Sequence, residues 1–229
     1  MSNQQTIVVD VVSDVVCPWC FIGQRRLDAA IAAVPEVRVE VHWRPFQLDP
    51  SIPSQGRDRK EYMLSKFGSE EKLREIHARI QPLGAAEGID FDFDAIKVSP
   101  NTLDAHRVIR WAATYGADVQ NRLARRLFQL YFEEGRNVGD HVVLIEAAGE
   151  AGMDVPVVTA LLATDNDREA VANEVATASR MGITGVPCFL LESRYAVMGA
   201  QETATLADAL RQVAAAKARG ELEPTPTDV

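Results

Sequence analysis

Cysteine is scarce: the 229-residue chain has 3, at positions 17, 20 and 188. A small secreted scaffold stapled by disulfides carries more, and in even number. The fold therefore has to come from a hydrophobic core, which a chain of this length can bury without staples. Long apolar runs are missing as well. No stretch approaches the ~20 residues needed to cross a bilayer. The opening Met-Ser-Asn-Gln-Gln-Thr has neither the basic segment nor the apolar stretch of a secretory leader. Basic residues are outnumbered, with 24 Lys and Arg against 33 Asp and Glu and a net charge of -9. Nucleic-acid binding rests on Lys and Arg releasing counterions from phosphates, and an anionic membrane surface makes the same demand, so neither partner is expected. These shortages predict a cytoplasmic protein. In that reducing compartment a close cysteine pair is catalytic or metal-binding rather than structural.

What is present has a clear order. Ile7 to Val12 is a short β-branched run, which fits a strand buried on both faces. From Pro18 the pattern turns helical, with Leu27, Ala30, Ile31 and Val34 on one stripe and Pro35 as a stop. Val37, Val39, Val41 and Trp43 then alternate with Arg38, Glu40, His42 and Arg44, a period-two strand with one polar face. Strand, helix and strand make a βαβ unit. Leu48 to Gly56 holds two prolines, two serines and a glycine, and reads as a linker.

From about Arg57 to Gly182 the periodicity is helical throughout. Leu73, Ile76, Ile80 and Leu83 make one stripe, with Pro82 as a kink or terminus. Ala105, Val108, Ile109 and Ala112 make another, and Leu123, Leu127, Leu130 and Tyr131 a third. Val142 to Ala148 is a shorter, more buried piece. Asn166 and Glu169 have the spacing of a capping pair at the start of a further helix. Cys188 to Leu191 and Tyr195 to Met198 flank Glu192-Ser193-Arg194 as a hairpin, followed by a helix carrying Leu206, Leu210 and Val213. The expected fold class is α/β. The βαβ half (1–56) and the ββα half (183–219) together make a thioredoxin fold, with a large α-helical domain (57–182) inserted between them. A polar tail (220–229) is expected to be flexible.

Cys17-Pro18-Trp19-Cys20 falls where the first strand meets the first helix. Unpaired N–H groups and the positive end of the helix dipole favour a thiolate there. Thiolate is the nucleophilic form. The spacing of three puts Cys20 on the same helical face. Pro18 suits the first helical position, and Trp19 can offer substrate a flat face. Far along the chain, Gly185-Val186-Pro187 opens the second half, where the Val186–Pro187 bond is expected to be cis. In a thioredoxin fold this loop packs against the cysteines, and its backbone can pair with an extended substrate. The chemistry expected is attack by Cys17 on a disulfide, then resolution by Cys20.

The motifs Cys17-Pro18-Trp19-Cys20-Phe21-Ile22-Gly23, Trp43 to Leu48, Asn101-Thr102 with Ala105-His106-Arg107, Gly182 to Pro187 and Gly199-Ala200-Gln201 run through nearly the whole chain. In this order the chain resembles the FrnE branch of the DsbA-like family. The resemblance implies a thioredoxin fold with a helical insertion, and dithiol–disulfide activity in a cytosolic setting. The same superfamily holds kappa-class glutathione transferases and 2-hydroxychromene-2-carboxylate isomerases. These keep a similar Asn-x-x-x-Ala element but typically have serine at the position of Cys17. No second cysteine pair such as some relatives carry is present, which excludes a relay through one.

Each candidate has a plainer reading beside it. Half a zinc site would need a second close ligand pair, and only Cys188 and 4 scattered histidines remain, so no metal is expected. Cys188 is either a third redox thiol or a small buried hydrophobe, the second being favoured. Asn101 and His106, with Pro18, Trp19, Val186 and Pro187, are the candidate substrate-binding residues, while a satisfied helix histidine accounts equally well for His106. Asp14 either modulates the thiols or ends the strand. Trp43 and Phe46 are expected in the core, and Arg25 and Arg26 in solvent. The expected partners are protein or small-molecule thiols and disulfides, acting on a monomer or homodimer. No bound cofactor is required, although glutathione fits as reductant or co-substrate. A glutathione-dependent transferase or isomerase would not need Cys20. A holdase would need neither cysteine.

Overall fold

The computed structural model describes residues 6–222. Most of the polar tail lies outside them. The central sheet has the order β2-β1-β5-β6. β1 (Thr6–Ser13) pairs in parallel with β2 (Arg38–Pro45) and antiparallel with β5 (Cys188–Leu191), and β5 pairs antiparallel with β6 (Tyr195–Met198). β1 is central, which explains why its run from Ile7 to Val12 is apolar apart from Asp10. Ile7, Val9 and Val11 face the main core, and Val12 faces a smaller cluster with Phe46, Ala178, Ile183 and Cys188 on the opposite side.

Between β1 and β2 lies helix α1 (Pro18–Ala32), which starts at a proline and stops three residues before Pro35. The last helix, α9 (Thr203–Ala218), packs against α1 and buries Leu206, Leu210 and Val213. The insertion between β2 and β5 carries α2 (Arg59–Phe67), α3 (Glu70–Ala86), α4 (Leu103–Ala112), α5 (Ala117–Phe132), α6 (His141–Ala151), α7 (Val155–Leu162) and α8 (Arg168–Arg180), with a 3-10 turn at Ala113–Tyr115. α5 is its spine. Leu123, Leu127, Phe128, Leu130, Tyr131 and Phe132 are all buried. Phe128 stacks on Phe21 of α1 with ring centroids 5.3 Å apart, which joins the insertion to the helix that carries the cysteines.

The inserted segment is not helical throughout. Arg57–Asp58 (β3) and Val98–Ser99 (β4) form a two-stranded antiparallel sheet that tethers the start of α2. α3 runs through Pro82 instead of ending there. The ring removes one hydrogen bond from the last turns, and Ala78, whose carbonyl would accept it, is exposed to water. Asn166 and Glu169 do not cap α8. Asp167 precedes the helix in the left-handed region without a side-chain cap, and the Asn166 carbonyl instead accepts from Arg107 Nε at 2.7 Å. α6 begins at His141 behind an Asp140 cap, and Val142 is exposed while Val143 and Leu144 are buried.

Candidate active site

Cys17 is the N-cap of α1. Its amide donates to Asp14 O, and its carbonyl accepts from Cys20 and Phe21. These bonds fold the strand end into the first helical turn and set the thiol at the helix N-terminus. The Cys17 thiol faces the Val186 carbonyl across 3.7 Å. The Val186–Pro187 bond is cis, and Pro187 O accepts from Gly199 N at 2.8 Å, which ties the loop to the hairpin. Two segments 169 residues apart thus meet at one sulfur.

Cys20, one turn further, is buried beneath Cys17. Burial pushes its thiol well above the ordinary cysteine range, with the hydrogen bond and charge of Cys17 acting in the same direction, and contacts to Ser13 and Asp14 opposing them. Cys20 is therefore held protonated while Cys17 borders the open site. Both are free thiols in this structure. Cys188 is also free, but it is fully buried in the small cluster on the other face of the sheet, where burial raises its pKa. This is the small-hydrophobe role.

A cavity of about 450 Å³ opens beside Cys17. On the cysteine side it is walled by Pro18, Trp19, Gly185 and Val186, and on the far side by α2 and α3. Val16, Leu48, Ile52 and Phe93 add apolar surface. Of the residues singled out from sequence, Cys17, Pro18, Trp19 and Val186 line this space. Pro187 and Cys20 are not among its lining residues. Trp19 is 38% exposed and shows a face to the cavity.

Asn101 and His106 are not among the lining residues. The Asn101 side chain donates to Ile52 O at 2.6 Å, and its Oδ1 accepts from Leu103 N at 2.9 Å and Gln47 Nε2 at 3.1 Å. It clamps the 48–56 loop to the start of α4. His106 Nε2 lies 2.8 Å from Phe46 O, which assigns it the donor proton there, and 3.5 Å from Asp14 Oδ1. Asp14, though buried, is one of the cavity's lining residues and accepts from Leu48 N at 2.8 Å. Asn101 and His106 brace the site from behind. Trp43 and Phe46 are core residues as expected. Arg26 is not solvated, and Arg25 is only partly so. Arg26 is buried and reaches Glu87 Oε1 at 2.7 Å, Ala200 O at 2.8 Å and Glu202 Oε1 at 2.8 Å, and Arg25 lies half-buried over the Phe21 ring.

The far wall went unnoticed in the sequence. Arg59, Tyr62, Met63, Lys66 and Phe67 of α2 all line the cavity, at helical spacings of three and four. That periodicity was available as a signal. Yet α2 buries no residue completely, so its face is turned to a cavity rather than to a core. Among the described residues no three His, Cys, Asp or Glu side chains gather so as to hold a metal ion. Among them, too, no helix is long and apolar enough to cross a membrane.

Comparison with known proteins agrees with this geometry. A curated protein of Bacillus subtilis (strain 168), the uncharacterized protein YwbO, is 30% identical over 190 residues, spanning 81% of this chain and 87% of its own. The crystal structure of a probable DsbA oxidoreductase from Streptomyces coelicolor superposes with a TM-score of 0.83 at 31% identity, covering 96% of this chain and 92% of that one. The cytosolic disulfide reductase DsbM from Pseudomonas aeruginosa, solved with GSH, shares the fold at 19% identity and a TM-score of 0.55, over 94% of this chain and all of its own. Residues 8–211 match the model of the DSBA-like thioredoxin domain. The chain belongs to the DSBA-like thioredoxin domain family.

Proposed function

We propose that the protein is a thiol–disulfide oxidoreductase of the FrnE branch, in which Cys17 attacks and Cys20 resolves. Cys17 thiolate attacks a substrate disulfide and releases one substrate thiolate. Cys20 gives up its proton and attacks Cys17 Sγ, which releases the second substrate thiolate and leaves a Cys17–Cys20 disulfide. In the opposite direction the disulfide oxidises a dithiol. Val186 lies beside the sulfur where substrate backbone would pair, and Trp19 and Pro18 border the entry. Glutathione suits the role of electron donor or co-substrate. The reading includes a cytosolic setting, where a catalytic dithiol can be kept reduced.

The observation that carries this reading is the asymmetry of the two thiols. Cys17 sits at a helix N-terminus on the wall of a cavity, and Cys20 is buried one turn behind it with its proton retained. A transferase that merely activates glutathione has no use for the second thiol.

The test is a redox titration with alkylation and mass spectrometry on the wild type and on Cys17→Ser and Cys20→Ser. A reversible Cys17–Cys20 disulfide with a potential between about -270 and -120 mV, the span of catalytic dithiols, is expected. Cys20→Ser should trap the mixed disulfide at Cys17. Absence of the bond, together with full glutathione-conjugating or isomerase activity in Cys20→Ser, would replace the redox reading with a transferase.

A further inference from the structure

We infer that the substrate is a low-molecular-weight disulfide with an apolar, ring-sized arm and a carboxylate, held between Cys17 and helices α2 and α3. This rests on the oxidoreductase reading and names the substrate class of that same site.

Size comes first. At about 450 Å³ the cavity falls within the ~300–1,000 Å³ of small-ligand sites. An extended polypeptide pairs along an open strand edge and needs no such volume. The lining comes second. Met63, Phe67, Ile76, Ile80 and Phe93 line the cavity together, an apolar wall that suits a ring. His77 stacks on Phe93 at 4.0 Å, and burial lowers its pKa, so it adds an aromatic face rather than a charge.

Charge comes third. Arg59, Lys66 and Arg79 line the cavity against two carboxylates, Asp14 and Asp49. Asp14 Oδ2 accepts from Leu48 N while its Oδ1 is buried without a hydrogen-bond partner, and Asp49 accepts from Ser51 and the Tyr62 hydroxyl. Arg59 lies against Tyr131, and Lys66 against Tyr62. Arg79, an exposed residue of α3 that lines the cavity, pairs with no carboxylate among the described residues. With three cations against two carboxylates, a chain of net charge -9 still leaves one surplus positive charge at its redox cavity, which suits an anionic end group.

The reaction balances without a further reactant when it starts from the dithiol. The substrate disulfide gains two electrons and becomes two thiolates, which take protons from Cys20 and water. The Cys17 and Cys20 sulfurs lose two electrons and become the disulfide.

The test is single-turnover oxidation of the reduced protein by three probes. They are 5,5'-dithiobis(2-nitrobenzoic acid), its uncharged bis-amide analogue, and a linear peptide disulfide. In Arg79→Gln, an exposed substitution, the rate with the carboxylated probe relative to the bis-amide should fall about two- to fivefold, the worth of a partly screened ion pair. In Phe67→Ser the rate with the aromatic probe relative to the peptide should fall about three- to tenfold, the worth of an aromatic contact. Unchanged ratios in both variants, with oxidation still proceeding, would overturn the substrate class and leave the redox reading standing. If no probe oxidises the Cys17–Cys20 pair, the redox reading itself fails.

Discussion

Gly23 lies where the redox helix touches the loop of Val186 and Pro187, and adding one methyl group there tests whether that contact sets the site. A Cβ on Gly23 would fall 2.8 Å from Pro187 Cγ and 3.2 Å from Phe189 Cζ. Carbon atoms rest at about 3.5–4.0 Å, so α1 and the loop must part by roughly 0.7–1.2 Å. Overpacking of this kind costs about 1–3 kcal/mol. Alanine returns about 1 kcal/mol through its helix propensity, leaving a net loss of roughly 0–2 kcal/mol. For a chain this long, that is about 0–8 °C in melting temperature. The larger effect should be kinetic. Cys17 and the Val186 carbonyl approach across this same seam, and misplacing reacting groups by about 1 Å can cost on the order of 100-fold. Gly23→Ala should therefore slow stopped-flow thiol–disulfide exchange at least tenfold, with a melting temperature within about 8 °C of wild type. A variant that exchanges at the wild-type rate and melts higher would show that this contact does not constrain the site.

Burial raises the Cys20 pKa in the folded protein, so above the ordinary thiol value of 9.0 the unfolded chain ionises this group while the folded one does not. The reduced wild type should lose stability as pH rises past that value, and Cys20→Ala should lose less in urea titrations over the same range. Arg26→Met strands Glu87 beside the end of α3 and should cost about 3 kcal/mol in denaturant unfolding, part of which Glu87→Gln should restore. Asn101→Ala removes the bonds to Ile52, Leu103 and Gln47. It should destabilise the fold by about 1–3 kcal/mol and increase hydrogen exchange in the 48–56 loop. Loss of small-substrate affinity without either change would make Asn101 a binding residue instead.

The parts of the fold that could be read from sequence are those with local causes. β1 is mostly apolar because both its faces are covered, and β2 alternates because only one is. The cysteine pair and Pro18 mark the helix start by chemistry that needs no distant partner. What escaped depends on residues far apart. Arg26 looks solvated on α1, yet its partners Glu87 and Ala200 lie 61 and 174 positions away. Asn166 has a capping spacing, but Arg107, fully buried in α4, claims its carbonyl. β3 and β4, two residues each, are too short to show any period. The α2 wall showed helical spacing without revealing that the face it forms meets a cavity.

The insertion is separate in chain order but not in packing. Phe21 follows Cys20 directly, and its ring lies against Phe128, Phe132 and Phe91 of the inserted segment. Phe132 in turn meets Phe93, and Phe93 stacks on His77 at the cavity wall. Ring contacts therefore run from the residue beside the resolving thiol to the far side of the cavity. The distance between Cys17 and the α3 wall is held by the same core that holds the redox helix. α2 is different, because it buries no residue fully and is tied down by its Asp58 cap, the Lys60–Glu70 pair and the Tyr62–Asp49 bond. Substitutions among the rings should thus alter stability and chemistry together. Substitutions of Met63, Lys66 or Phe67 on the cavity face of α2, which carry none of these ties, can change which substrates fit at little cost to the fold.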